Sequence, residues 1–223
     1  MIREAWALYK AHWRHLLRLA AVFYLVISAA TLVLSVVFGF VGAAVAGVGA
    51  IVGYFWLAGA LTEAVADIRD GRADLSLQET FGRVWPRVWT LLGAGLLAGL
   101  GIVLGLLLLI VPGLVLLTWW SLISPVIVLE GKGAIESFGR SRELVRGQGW
   151  SVFAVVILAV LISFAIGIVV SISLVWLPEE AASFFGGLIN GTLTAPFVAL
   201  AWTLVFFRLK DLRQEPEPAP AAA

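Results

Sequence analysis

Val88 to Leu129 is a run of 42 residues without a single Asp, Glu, Lys or Arg. A helix that crosses the hydrocarbon core of a bilayer uses about 20 residues, so this run is long enough to cross twice. Pro112-Gly113 lies just past its middle. Pro has no backbone donor and Gly permits a reversal, which predicts the turn of a helical hairpin at that pair.

Other runs have the same character. Leu19 to Thr62 is charge-free over 44 residues, again two crossings, with Gly39 and Gly42 as the expected turn. Gly147 to Pro178 is charge-free over 32 residues and Ala181 to Phe207 over 27, each enough for one span. The expected spans are about 16–39, 43–66, 89–111, 112–130, 150–177 and 182–207. Composition agrees: 61% of residues are hydrophobic and 13% charged, against about 25% charged in an average soluble domain. There is no Cys, which excludes disulfides and thiolate metal sites. A net charge of +1 gives no polybasic character and speaks against nucleic acid.

Polar segments separate the runs. In residues 1–18, Ile2, Trp6, Tyr9, Trp13 and Leu16 share one helical face, with Arg3, Lys10 and Arg14 off it. A basic amphipathic helix bearing Trp suits the membrane interface. The apolar region that follows is too long for a secretory signal peptide. Asp67 to Arg87 contains a capping box, Ser76-Leu77-Gln78-Glu79, and then Leu77, Phe81, Val84, Trp85 and Val88 at helical spacing. In Glu130 to Arg146, Ile135, Phe138 and Val145 share a face. The tail after Arg213 is rich in Pro and Ala and is expected to be disordered.

A repeat runs beneath these segments. Glu4-Ala5-Trp6, Glu79-Thr80-Phe81 and Glu136-Ser137-Phe138 each read Glu, small, aromatic, and the last two extend through Gly to Arg83 and Arg140. The expected fold class is therefore all-α: a polytopic membrane bundle of six transmembrane helices, built from three pseudo-repeats of an amphipathic helix plus two spans. All 15 Lys and Arg fall within residues 3–18, 69–87, 132–146 and 208–213, and none at the opposite turns. By the positive-inside rule both termini and both long loops face the cytoplasm. Arg outnumbers Lys twelve to three and Ala is abundant, as often goes with a GC-rich bacterial genome, so the expected location is a bacterial inner membrane.

Intramembrane ionisable or polar groups are the first place to seek function. Here they are Glu63 and Glu130, at the inner ends of spans two and four, and Asn190. His12 and His15 lie three apart on the first amphipathic helix, but no third ligand accompanies them, so no metal or other cofactor is expected. Asp67, Asp70 and Asp74 alternate with Arg69 and Arg72 as a solvated loop would. No Ser–His or paired-Asp arrangement lies at depth, so no enzymatic activity is expected. Gly49-x-x-x-Gly53, Gly95-x-x-x-Gly99, Gly101-x-x-x-Gly105 and Gly187-x-x-x-Gly191 are spacings that let helix backbones approach. Trp6, Trp13, Trp85, Trp89, Trp150 and Trp176 fit interfacial belts. Trp56, Trp119, Trp120 and Trp202 lie deeper. Two readings of these are open: ordinary packing, or a lipid- or solute-facing groove shared with Ser121, Ser124, Asn190 and Thr194. The amphipathic segments form a cytoplasmic collar whose Arg83, Arg87, Arg140, Arg142 and Arg146, with Arg14 and Arg18, would meet anionic inner-leaflet lipid or a protein partner.

Val111-Pro112-Gly113-Leu114, Ser124-Pro125-Val126-Ile127-Val128-Leu129-Glu130, Ser141-Arg142-Glu143-Leu144-Val145-Arg146-Gly147 with Trp150, and Phe206-Phe207-Arg208-Leu209-Lys210-Asp211-Leu212-Arg213 together resemble a bacterial multi-span family. It is the membrane domain of glycerophosphodiester phosphodiesterases, which in some members is fused to a soluble catalytic barrel. The chain runs to Ala223 with no room for such a barrel, so the resemblance implies a stand-alone membrane domain without that activity. The expected role is a non-catalytic module that organises lipid or a partner. The alternative is a transporter or permease for a small solute or lipid.

Overall fold

The computed structural model of the chain describes residues 2–69 and 76–213, with side-chain surroundings for all of these except 2–15, 77 and 180. The described residues fold into helices joined by short turns. Five helical stretches are long and apolar enough to cross a membrane.

Helix α1 runs Ile2–Arg69 and departs from helical geometry at Gly39, with φ 56° and ψ −134°. That conformation is essentially open to glycine alone. The two arms on either side fold back on each other: Leu16 and Leu19 pack in one cluster with Leu57 and Leu61. The reversal expected at Gly39–Gly42 thus sits at Gly39. Gly42 has a separate reason to be glycine, because a Cβ there would run into the Leu34 carbonyl. No Pro or Gly interrupts residues 2–38, so the first amphipathic stretch continues straight into the first long arm. It is not a helix set apart, as the repeat had suggested. The expectations for the side chains of Trp6, His12, Trp13, Arg14 and His15, for Asp70 and Asp74, and for the tail 214–223 lie outside the described residues.

Helix α2 (Leu77–Val84) opens with the expected capping box: the Ser76 side chain accepts from Glu79 N–H while the Glu79 carboxylate accepts from Ser76 N–H. A 3-10 turn over Trp85–Arg87, containing Pro86, leads into α3 (Val88–Leu108). The hairpin turn is not at Pro112-Gly113. It is the single extended residue Leu109, with φ −157° and ψ 134°, after which α4 (Ile110–Trp119) returns. Pro112 is the third residue of α4, where its missing N–H would have found no helical partner anyway. Gly113 instead marks the close approach of the arms: a Cβ on Gly105 would come 3.0 Å from Gly113 Cα.

The return arm, expected as one span over 112–130, is two helices. After α4 the chain turns at residues 120–122 and resumes as α5 (Ile123–Glu130). In an unbroken helix the Pro125 ring would meet the carbonyl of Ser121, which accounts for the break. Helix α6 (Ala134–Val145) follows and ends before Gly147, whose φ is 88°. Helix α7 (Gly149–Ser173), a turn over residues 174–178 and α8 (Glu179–Leu212) complete the chain.

The last helix closes the bundle. Ala199 and Leu200 of α8 lie in the cluster that holds Leu16 and Leu61. Phe206 joins Val126, Leu144 and Val152 from α5, α6 and α7. Val84, Val88, Leu91 and Ile127 knit α2, α3 and α5. The outside is apolar: Val36, Phe40, Leu107, Ile110 and Phe164 are all exposed. A surface of that kind belongs in lipid rather than water.

Candidate functional site

Two places gather polar chemistry. The first is the helix ends that carry the cations. Arg140 makes a two-pronged contact with Glu130, Nε to Oε2 at 2.8 Å and Nη2 to Oε1 at 3.0 Å. Lys210 of α8 reaches the same carboxylate at 3.3 Å, and Arg140 also meets Glu143 at 3.2 Å. The Glu130 and Lys210 side chains keep only 10% and 8% of their exposure, so this pair is largely taken out of solvent, whereas Glu143 stays 56% exposed. Arg83 pairs with Glu63 at 3.5 Å but remains 42% exposed. Arg69 contacts Asp211 at 3.6 Å and lies over the Phe207 ring. Arg213 donates to the backbone carbonyls of Glu143 and Arg146. The ends of α1, α2, α5, α6 and α8 are thereby joined on one side of the bundle.

The two Glu-x-Phe-Gly-Arg segments make matching contacts. Arg83 and Arg140 each bind a Glu near the end of the preceding long arm, Glu63 and Glu130. Phe81 and Phe138 each pack edge-on against a Trp of that arm, Trp56 and Trp120, with ring centroids 4.9 Å apart in both cases. Thr80 and Ser137, the small residues between Glu and Phe, are both fully buried. Of the face of α6 read from hydrophobicity, Val145 is fully buried and Phe138 half-buried against Trp120. Ile135 is exposed, and the inward stripe is Ser137, Ser141, Leu144 and Val145. Ser141 explains why a serine faces in. Its hydroxyl donates to the Trp119 carbonyl at 2.6 Å and accepts from Leu122 N–H at 3.2 Å. These are backbone groups released by the break between α4 and α5, and unsatisfied backbone is costly away from water.

Of the five arginines expected to meet lipid or a partner, Arg83 and Arg140 are therefore engaged in ion pairs within the chain. Arg142 is exposed with its guanidinium 4.2 Å from the Trp119 ring centroid. Arg146 is exposed and Arg87 half-buried. Exposed Trp85, Trp89 and Trp150 stand at the same helix ends. At Glu79, outside the long arms, hydrogen bonds from the Ser76 hydroxyl and then the Ser76 amide hold the carboxyl below its usual range. Asp67, expected in a solvated loop, is buried near the end of α1 instead, because that helix continues to Arg69.

The second place is a cavity of about 460 Å³ between α1, α3, α4, α5, α7 and α8. Its lining includes Trp120, Ser121, Ser124, Thr194 and Trp202, which the sequence had grouped, together with Ser163 of α7, which it had not. Trp56, Trp119 and Asn190 of that group do not line it. Trp56 instead donates to the Phe81 carbonyl at 2.9 Å. The Ser124 and Ser163 hydroxyls are buried without a hydrogen-bond partner, as is Oδ1 of Asn190. Asn190 lies one helical turn from Thr194, whose hydroxyl donates to its carbonyl at 2.7 Å. Ser141 is one of many polar residues in α6 and Ser163 a single serine deep in apolar α7, so each could be singled out only from its surroundings. Lys210 was legible as a charge at the end of the last run, but not as a partner of Glu130.

Among the described residues, no three His, Asp or Glu side chains gather as a metal site would require. Residues 11–210 match the family model described as domain of unknown function DUF7847. Neither a curated protein nor a solved structure matches the chain. With nearly all of the chain inside the match, the protein belongs to the DUF7847 family.

Proposed function

We propose that this protein is a non-catalytic membrane module of the bacterial inner membrane that gathers anionic lipid at its cytoplasmic face. In this reading the chain crosses six times, since the α1 helix reversed at Gly39 supplies two crossings, and both termini are cytoplasmic. Three pseudo-repeats, each an amphipathic segment with two spans, make up the bundle. The likeness to the membrane domain of glycerophosphodiester phosphodiesterases is part of the same proposal, as a membrane architecture without phosphodiesterase chemistry. One observation supports the reading most directly. Arg142 and Arg146 stay exposed beside Trp150, which is 85% exposed, while the neighbouring Arg140 is consumed by Glu130. Cations next to an exposed Trp suit the head-group layer, where each basic residue attracts anionic lipid by about 1 kcal/mol.

The test compares the protein with a variant carrying Arg87→Gln, Arg142→Gln and Arg146→Gln, leaving Arg83 and Arg140 in place. Phosphatidylglycerol retained through purification is counted by native mass spectrometry. Each cation removed should weaken retention about five-fold. Equal retention by the two proteins ends the lipid-gathering reading.

A second reading, a permease for a small solute or lipid, is favoured by one feature. The turn between α4 and α5 lines the cavity through Trp120 and Ser121, and the start of α5 through Ser124. Broken helices beside a midplane cavity are how many transporters build a binding site.

A further inference from the structure

We propose that the cavity binds an uncharged single-chain amphiphile, with its hydroxyl-bearing head inside and its tail leaving sideways into the bilayer. This deepens the permease reading by naming the ligand class. It concerns occupancy alone, so a protein that binds without transporting defeats that reading and not this one.

The chemistry of the lining sets the head group. No residue lining the cavity is an Asp, Glu, Lys, Arg or His. A charged head would enter without a counter-charge, which is expensive at membrane depth. An alkane would leave the buried hydroxyls as they stand. Ser124 and Ser163 line the cavity, and the Oγ of each is buried with no partner, although most buried polar side-chain atoms have one. The neighbouring hydroxyls of Ser121, Thr62 and Thr194 donate to carbonyls of their own helices and keep only acceptor capacity. A χ1 rotation would turn the two uncommitted hydroxyls of Ser124 and Ser163 into the cavity, beside the acceptors, to meet an alcohol or ester group.

The tail is set by what adjoins the cavity. A second, almost wholly apolar groove of about 480 Å³ is lined by Phe23, Ile27, Ile51 and Leu96. Tyr24, Tyr54 and Phe55 line both spaces, so the two meet there. Ile51, Tyr54 and Leu96 are about half exposed, at 48%, 52% and 54%, on the apolar exterior. An amphiphile can therefore lie with its chain in the groove and its head past the two tyrosines. Gly95 serves this junction, since a Cβ there would strike the Phe55 ring. The combined volume is within the range of small-molecule sites, about 300–1,000 Å³.

The test uses the full chain in nanodiscs and a monoacylglycerol carrying a diazirine on its acyl chain. Irradiation should label lining residues such as Leu96, Ile102 or Ala195, and unlabelled monoacylglycerol should compete. Ser124→Ala with Ser163→Ala removes the two free hydroxyls without changing shape. It should leave the melting temperature unchanged or raised and weaken labelling about ten-fold. A purely structural serine pair would leave labelling untouched. Ala195→Phe fills the cavity from α8 and should abolish labelling; should that variant misfold, the serine pair alone decides. Equal labelling by the phosphate monoester of the same lipid overturns the uncharged class. Equal labelling by a diazirine alkane overturns the hydroxyl recognition. Label confined to outward residues such as Val36 and Phe40, indifferent to Ala195→Phe, overturns the site itself.

Discussion

At the scale of residues, the ion pairs made by the two Glu-x-Phe-Gly-Arg segments differ in physical worth. Glu63 faces a single cation, Arg83, that keeps 42% of its exposure. Glu130 faces two, Arg140 and Lys210, with side-chain exposures of 17% and 8%. An exposed pair contributes about 0–1 kcal/mol, whereas removing one member of a buried cluster strands the others and costs about 3–5 kcal/mol. Glu130→Gln should therefore lower the unfolding midpoint in detergent by an amount equivalent to about 3 kcal/mol, and Glu63→Gln by less than about 1 kcal/mol. Comparable losses would mean that burial does not distinguish the two sites. Ser141 belongs to the same scale. Its two hydrogen bonds serve backbone from a different part of the chain, so its importance follows from the break it covers rather than from α6.

At the scale of elements, glycine does several separate jobs that small-residue spacing alone lumps together. Only Gly105, among the spaced pairs, meets another backbone, that of Gly113. Gly95, Gly101 and Gly191 make room for the rings of Phe55, Trp120 and Tyr24, and Gly49 and Gly99 have nothing within 4 Å. Gly42 is different again, lying against the Leu34 carbonyl just past the reversal, while Gly47 one and a half turns further on has open space. Gly42→Ala should destabilise the first hairpin strongly, because backbone rather than a flexible side chain blocks the new methyl. Gly47→Ala should be neutral or stabilising by up to about 1 kcal/mol, the helix preference of Ala over Gly. Thermal unfolding of both variants checks this, and a Gly42→Ala protein as stable as Gly47→Ala would place the reversal elsewhere.

At the scale of the whole molecule, the cation-bearing helix ends are tied together across the sequence, from Arg83–Glu63 to Arg69–Asp211. The reversals at Gly39, Leu109 and residues 174–178 have no such contacts among the described residues. Trp176, 90% exposed, stands at one of them and suits the opposite interface. The orientation is tested with single Cys probes, since the chain has no Cys of its own. Ser137 is unsuitable as a probe position because it is fully buried, whereas Lys132, Gln148 and Ser183 are exposed. In intact cells an impermeant maleimide should label Ser183→Cys and spare Lys132→Cys and Gln148→Cys until the membrane is opened. The reverse pattern would invert the topology.

What was legible in the sequence is what one-dimensional chemistry dictates. Charge-free runs set the helices, because only apolar stretches of that length can live in lipid. The Gly39 reversal and the Ser76–Glu79 cap were visible because each depends on local backbone chemistry at its own position. The grouping of Trp120, Ser121, Ser124, Thr194 and Trp202 was also partly readable, as polar and aromatic residues out of place in apolar runs. Tertiary structure decided the rest. Pro112-Gly113 has every local property of a turn, yet the chain turns at Leu109, because a proline in the first turn of a helix is free of penalty and the glycine was needed for the crossing of α3 and α4. Ile135 satisfies helical periodicity, yet it is exposed while α6 turns Ser141 inward, because the broken arm beside it leaves a carbonyl and an N–H that one hydroxyl satisfies together. Arg140 reads as a surface cation, yet it is locked to Glu130, a carboxylate that Lys210 binds as well. Whether a charge faces lipid, water or a counter-ion depends on neighbours distant in sequence, and those neighbours exist only once the helices have packed.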